Sequence, residues 1–257
     1  MQLRTEALDC LYLNWALPRS SAPALPEPLR YEVHEWRDRE WVFASALLFR
    51  HSGLRLRRLP LLRLSYPQMN LRLYVLDGDD VPSVIFRCML VPLWIVPLSR
   101  YLGRQPASVA RFHYPSPSRG EGGDGWSWTI RRGPAHRRQA LRVQGRLASP
   151  AVGPGPSLGS WQRTVDYFRD RRRGYVVWQK RLRAIDLSRP PVELWPLEVE
   201  VEAGDLVARN LDHDLPADEL RTPHSSWLCP QIPFVFELGK RIHLNLVQRG
   251  VPAAEGC

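Results

Sequence analysis

The sequence predicts a mainly β protein, a β-rich α+β chain in which many short strands form a closed or nearly closed antiparallel sheet with a few short helices packed outside. Three observations predict it. Two hairpin signals follow one another, over 31–49 and 69–91. The segment Tyr66-Pro67-Gln68-Met69-Asn70-Leu71-Arg72-Leu73-Tyr74-Val75 alternates apolar and polar residues with a period of two. Helical spacing of apolar residues is clear at one place only, 158–168. So many strands in an open sheet would leave long exposed edges, which favours closure.

The first strand runs from Leu8 to Leu13, and a proline-punctuated stretch from Pro18 to Pro28 follows with room for one helical turn. Tyr31 to Trp36 and Trp41 to Phe49 flank the polar turn Arg37-Asp38-Arg39-Glu40. Met69 to Leu76 and Ser83 to Val91 flank Asp77-Gly78-Asp79-Asp80, whose Asp-Gly start is a turn cue. Leu98 to Leu102 reads as a short helix ended near Gly103. After the strand Ala110 to Tyr114, residues 115–125 are rich in Pro, Ser and Gly and read as a surface loop. Trp126 to Arg131 and Gln139 to Leu147 form a further hairpin, and Ser149 to Pro156 a second loop. Leu158, Trp161, Val165 and Phe168 mark the helix, with Ser157 or Ser160 placed to cap it and Gly174 beyond its arginine-rich end. Strands follow at Tyr175 to Trp178, Arg181 to Ile185, Glu193 to Val201 and Phe234 to Leu238, and the tail 250–257 reads as loose.

Composition bounds the function classes. With 257 residues, 44% hydrophobic and ten tryptophans, the chain has ample material for a packed core. The longest apolar run, Cys88 to Leu98, holds Pro92 and Pro97 and is too short to span a bilayer, and no secretory leader opens the chain, so a cytoplasmic protein without membrane contact is expected. Net charge is +10, but the cations are almost all arginine and are scattered, with only Lys180 and Lys240 as amines. The densest cluster, Arg169 to Arg173, reads as a solvated helix end because no recognition motif accompanies it; no nucleic-acid partner is expected. Cys10, Cys88, Cys229 and Cys257 show no paired spacing, which argues against structural zinc and a disulfide scaffold.

Several motifs invite chemistry and are read more plainly. His224-Ser225-Ser226 lacks the strained Gly-x-Ser-x-Gly turn, and adjacent residues seldom face one another; loop stabilisation or capping is the expectation. Asp212-His213-Asp214 lacks a third ligand at useful spacing and reads as a solvated turn. Gly153-Pro154-Gly155-Pro156 is a connector, since prolines remove the amide donors a phosphate loop needs. Arg87 interrupts an apolar strand and must reach an acid, a carbonyl or a ligand, with Glu32, Glu35, Glu198 and Glu200 as conceivable partners.

Four stretches, in order, resemble the YqjF-like domain of unknown function, a member of the acetoacetate decarboxylase-like superfamily. They are Leu11-Tyr12-Leu13-Asn14-Trp15-Ala16-Leu17-Pro18; Tyr66 to Val75 with Asn70-Leu71-Arg72; Val84 to Arg87 with the proline-rich run behind it; and Pro223-His224-Ser225-Ser226-Trp227-Leu228. The resemblance implies one domain over 1–257, a cone-like antiparallel β barrel, and an interior cavity that in the decarboxylases holds a small keto acid. It also exposes departures. The decarboxylases carry a reactive lysine in Gly-Phe-Pro-Lys-Lys; the nearest equivalent here is Gly103-Arg104-Gln105-Pro106-Ala107, with alanine at the lysine position. Without that amine no imine forms and the electron sink for decarboxylation is lost. YqjF-like chains tend to have an acid where this chain has Gln68, which weakens a general base there. Lys180 lies elsewhere and reads as a strand-edge residue with a snorkelling stem.

Arg72 thus has two readings. On a solvated or acid-paired face it is an ordinary strand arginine; inside a barrel its planar fork clamps a carboxylate or phosphate. Asn70 and Tyr74 share its face and either orient a ligand or satisfy the arginine. The candidate ligand-binding set is Arg72, Asn70, Tyr74, Arg87 and Gln68, for a small organic acid or similar anion. No catalytic residue, metal or cofactor is assigned, and a homo-oligomer is compatible with the sequence. The competing expectation is a non-catalytic structural or protein-interaction module with a filled barrel.

Overall fold

The computed structural model describes residues 2–57, 59–101, 103–113, 125–133, 139–179, 181–188, 190–203, 205–211 and 220–241. Its strands are β1 (Gln2–Pro18), β2 (Arg30–Tyr31), β3 (His34–Trp36), β4 (Arg39–Leu56), β5 (Leu59–Leu76), β6 (Pro82–Val91), β7 (Ala107–Val109), β8 (Arg111–His113), β9 (Gly125–Arg132), β10 (Gln139–Leu147), β11 (Arg173–Trp178), β12 (Arg181–Ser188), β13 (Trp195–Ala203) and β14 (Ser225–Arg241). Three α-helices accompany them among the described residues, α1 (Val96–Tyr101), α2 (Trp161–Arg169) and α3 (Asp205–Asn210). The loop expected over 115–125 lies, but for Gly125, outside the described residues, as do Lys180, Asp212-His213-Asp214 and the tail.

Seven strands close a ring in the order β1-β4-β5-β6-β11-β12-β14, and β14 pairs with β1 to complete it. The seam is long: β1 and β14 are in register from Gln2↔Glu237 to Asn14↔Ser225, with Cys10 opposite Cys229, both buried. From β14 an arm of β13, β10, β9 and β8 continues the sheet through Trp195↔Leu228. The ring is not purely antiparallel as the hairpin signals suggested. β11 joins β6 in parallel over Gly174↔Val84 to Val176↔Phe86, and β7 joins β6 in parallel beside it. Each of these joins strands that are not hairpin neighbours, where connection length permits a parallel ladder.

Local chemistry explains the elements. The β3–β4 hairpin has a two-residue loop in which Arg37 (φ 50°) and Asp38 (φ 58°) both adopt positive φ, the twist-matched turn geometry. In the turn after β5, the buried Asp77 carboxylate accepts from the N–H groups of Asp79 and Val81 through Oδ1. Its Oδ2 accepts from the Tyr175 hydroxyl (2.9 Å) and Arg173 Nη1 (3.2 Å) of β11. Burial opposes this charge, but the four donors outweigh it and hold the carboxyl below its usual range. One side chain thus shapes a turn and fastens the parallel junction. Helix α2 is capped by Ser160, whose hydroxyl accepts from the Arg163 N–H, rather than by Ser157.

The two faces of the ring meet different partners. Met69, Leu71, Leu73 and Val75 of β5 join Leu13 and Trp15 of β1, Trp128, Ile130, Leu141 and Val143 of the arm, and Leu206 and Val207 of α3. The opposite face gathers Tyr12, Phe43, Tyr74, Val84 and Trp227 around Val165 and Phe168 of α2. Phe168 touches the rings of Phe43 in β4 (5.0 Å), Tyr74 in β5 (5.0 Å) and Trp227 in β14 (5.9 Å). Because β1 lies between β4 and β14, the ring curves around this side chain. No helix among the described residues is long and apolar enough to cross a membrane.

Phe168 is therefore the plug of this face, and Phe168→Ala is expected to lower stability by about 3–5 kcal/mol. The check is urea denaturation, in which the midpoint falls while the slope is retained.

Candidate functional site

Gln68, Asn70, Arg72 and Tyr74 all face the side that α2 covers, and none is in solvent: Arg72 retains 4% of its exposure, Gln68 5% and Asn70 8%. Sequence alternation put them on one face, and the structure encloses that face.

Arg72 donates from Nε to Ser45 Oγ (2.8 Å) and from Nη2 to the Tyr74 hydroxyl (2.7 Å) and the Phe168 carbonyl (3.0 Å). Tyr74 in turn donates to the same carbonyl (3.2 Å), which lies in the last turn of α2 and would otherwise be an orphan acceptor. The guanidinium also lies over the rings of Tyr74 (5.2 Å) and Tyr12 (5.5 Å). Every one of these partners is neutral. No carboxylate among the described residues pairs with Arg72, and its Nη1 donates to none of them. Tyr74 thus satisfies the arginine.

Asn70 and Gln68 belong to a second set of bonds. His51 Nε2 lies 3.2 Å from Gln68 Oε1, Gln68 Nε2 donates to Asn70 Oδ1 (2.8 Å), and the Thr5 hydroxyl lies 3.1 Å from His51 Nδ1. The directions follow from one another. A carbonyl oxygen accepts from Nε2–H, so in the neutral ring Nδ1 is the acceptor; the Thr5 hydroxyl beside it also has the Glu6 (3.2 Å) and Ser52 (3.3 Å) carbonyls as acceptors for its one proton. Burial pushes the His51 pKa down to about 4 against the raising effect of the Gln68 bond, which agrees with that neutral form. The Asn70 Nδ2 amide is left with no acceptor among the described residues. Asn70 Nδ2 and Arg72 Nη1 are thus uncommitted donors two residues apart on one face, about 7 Å along the strand.

The row continues across strands. Asn70 is opposite Met89 in β6, and Met89 is opposite Ala107 in β7. Ala107 is fully buried against Tyr66, Met89, Val91 and Ile95. The position that the resemblance equates with a reactive lysine therefore lies on the same face, roughly 10 Å from Asn70 across two strand spacings, and presents a methyl group.

Arg87 is not brought into this row. It is the extra residue at the register shift between Leu71↔Cys88 and Arg72↔Phe86, and its charge acts on Tyr31, which packs with the opposite, apolar face. Of its conceivable partners, Glu32 holds Arg171 (2.7 Å) and Glu198 holds Arg146 (2.6 Å). The Arg169–Arg173 cluster is also not a solvated helix end. Arg169 pairs with Asp166 and Asp170, Arg173 with Asp77 and Asp186, and the enclosed Arg171 stacks on Tyr167 (4.2 Å). Sequence reasoning missed Arg171; its signal was the arginine excess over what a helix end needs. His34 lies 3.1 Å from the Tyr167 hydroxyl, and burial lowers its pKa. The 224–226 segment is committed to packing: His224 Nε2 donates to the Pro156 carbonyl, Asn14 bonds Ser225, and Ser226 donates to the Leu197 carbonyl. No group of three or more metal-ligating residues occurs among the described residues.

The family described as "Uncharacterized conserved protein (COG2071)", DUF2071, matches residues 4–230. No curated protein matches the chain. Among solved structures, the enduracididine biosynthesis enzyme MppR with HEPES buffer bound is 12% identical at a TM-score of 0.58, covering 94% of this chain and 88% of that one. The same enzyme complexed with pyruvate is 12% identical at 0.56, covering 94% and 90%. An acetoacetate decarboxylase-like enzyme from Sphingomonas wittichii RW1 is 13% identical at 0.57, covering 93% and 92%. At these identities the likeness shows the fold, which is acetoacetate decarboxylase-like.

Because the folded state disfavours His51 protonation, stability is full above the unfolded histidine pKa near 6.5 and is lost as pH falls toward about 4. The loss from this residue is on the order of 3 kcal/mol. A pH series of denaturation midpoints is expected to show this acid slope, and His51→Gln to flatten it.

Proposed function

The chain belongs to the DUF2071 family, and we propose that it binds a small organic acid on the face formed by Asn70 and Arg72, without imine chemistry. One observation carries the reading: Arg72 is a buried cation whose partners among the described residues are all neutral. Burying a charge is costly unless it is paired, and the C-terminal carbonyl of α2 offers only a partial negative charge. A carboxylate supplied by a ligand completes the pairing through Nη1, and the Asn70 amide is placed to hold a second oxygen. MppR, similar in fold, has been solved with pyruvate, a molecule of suitable size and charge.

Decarboxylation through a lysine imine is not part of this reading, because the equivalent position is Ala107 within an apolar cluster. A second reading, a protein-interaction module, is favoured by the exposure of Leu93 (69%), Trp94 (57%) and Tyr101 (82%) around α1.

The two separate in a thermal-shift screen against pyruvate, 2-hydroxy acids and dicarboxylates. At least one acid is expected to raise the melting temperature by several degrees. The shift is expected to vanish in Arg72→Gln and shrink in Asn70→Ala, with near-ultraviolet circular dichroism confirming the fold of each variant. Shifts that survive Arg72→Gln would sink the clamp and leave the interaction module. Borohydride reduction in the presence of pyruvate is expected to add no mass to the protein; a stable adduct would restore the imine route.

A further inference from the structure

Away from the Arg72 face, a solvent-open groove of ≈ 400 Å³ is lined by Arg4, Thr5 and Glu6 of β1, Arg55 of β4, Arg63 of β5 and the 233–235 segment of β14. That volume lies in the range of small-ligand sites. We infer that this groove binds the phosphate group of a small metabolite, through the three arginines.

Three adjacent strands of the ring each contribute one arginine to the lining of a single concavity. Arg4 and Arg55 stand directly opposite one another in the β1–β4 ladder, an arrangement of like charges that destabilises a sheet. Several surface arginines of this protein are neutralised, as in Arg30–Asp80, Arg50–Asp9 and Arg146–Glu198. Arg4, Arg55 and Arg63 have no ion pair among the described residues, although Glu6 lines the same groove. Side chains that repel one another and converge on a concavity are explained by an anion that bridges them.

The chemistry of the lining selects the anion. Three guanidinium groups against one carboxylate leave two positive charges, which match a phosphate monoester dianion. Arginine forks donate paired hydrogen bonds to tetrahedral oxyanions, which a lysine row would not. The ladder slips between His51 and Leu54, where Gly53 takes φ +62° and a Cβ would meet nothing within 4 Å, so the backbone opens the groove at this point. A nucleic-acid strand fits less well. Glu6 would repel a continuous phosphate backbone, and the one ring in the lining, Phe234, is 9% exposed and offers no stacking platform. Arg72 is not among the residues that line the groove, so the groove is separate from the Arg72 fork.

The test is calorimetric titration of the full chain with inorganic phosphate and with glycerol 3-phosphate, alongside a fluorescent single-stranded RNA. One saturable site per chain is expected, weakened about tenfold or more in Arg55→Gln and in Arg63→Gln and unchanged in Arg72→Gln. Tighter binding of the ester than of free phosphate identifies a metabolite site, and equal binding identifies phosphate itself. In phosphate-free buffer of low ionic strength, Arg55→Gln is also expected to melt higher than the parent, because it relieves the opposed pair. The inference is overturned by the absence of saturable heat with either ligand, or by binding that both arginine variants retain. Preferential RNA binding with a steep salt dependence, lost in those variants, would overturn it in favour of a nucleic-acid footprint.

Discussion

An enclosed guanidinium with no carboxylate partner among the described residues is the constraint around which this protein is arranged. Arg72 enters the covered side of the ring because β5 alternates, and the alternation is fixed by Met69, Leu71, Leu73 and Val75 on the other face. Once there it must be given acceptors. Ser45 comes from the neighbouring strand, Tyr74 from two residues along, and the Phe168 carbonyl from the end of α2. The position of α2 is thus dictated twice, by the aromatic plug of Phe168 and by the hydrogen bonds its last turn receives. Neutral oxygens and two aromatic faces make the charge tolerable without cancelling it, and the proposed site rests on that remainder.

Beside it, His51 and Gln68 each donate toward Asn70, so the amide at the end is oriented by groups on two neighbouring strands. A buried neutral histidine of this kind is an orienting element, and its ring is wedged between Phe49 and Tyr66. Ala107, on the same face, is set in an apolar cluster with Tyr66, Met89, Val91 and Ile95.

Much of this was legible in the sequence, for identifiable reasons. Alternation in 66–75 located the row, the turn at Asp77 and a serine cap at 157 or 160 follow from local chemistry, and four ordered stretches pointed to the fold. What was not legible depends on contacts distant along the chain. β1, β4 and β14 extend well past their apolar segments because ladder pairing, not hydrophobicity, sustains their ends. The parallel β6–β11 junction has no local signature, since it is made by Asp77 reaching Tyr175 and Arg173 across 98 and 96 residues. Helix α3 is too short for its apolar spacing to stand out. Arg87 stands at a register shift, which moves one residue out of the alternation and which a linear reading does not see.

The seam between β1 and β14 carries a consequence for how the molecule comes into being. The opening strand of the ring waits for a partner more than 200 residues later, so during synthesis one flank of β1 has nothing native to bond. The meander of β1, β4 and β5 pairs near neighbours, whereas closing the ring has a far larger separation along the chain to bridge, the kind of contact that slows folding. Until then the nascent chain presents an unprotected β flank, the surface on which a holding chaperone would act and on which two unfinished copies would misassociate.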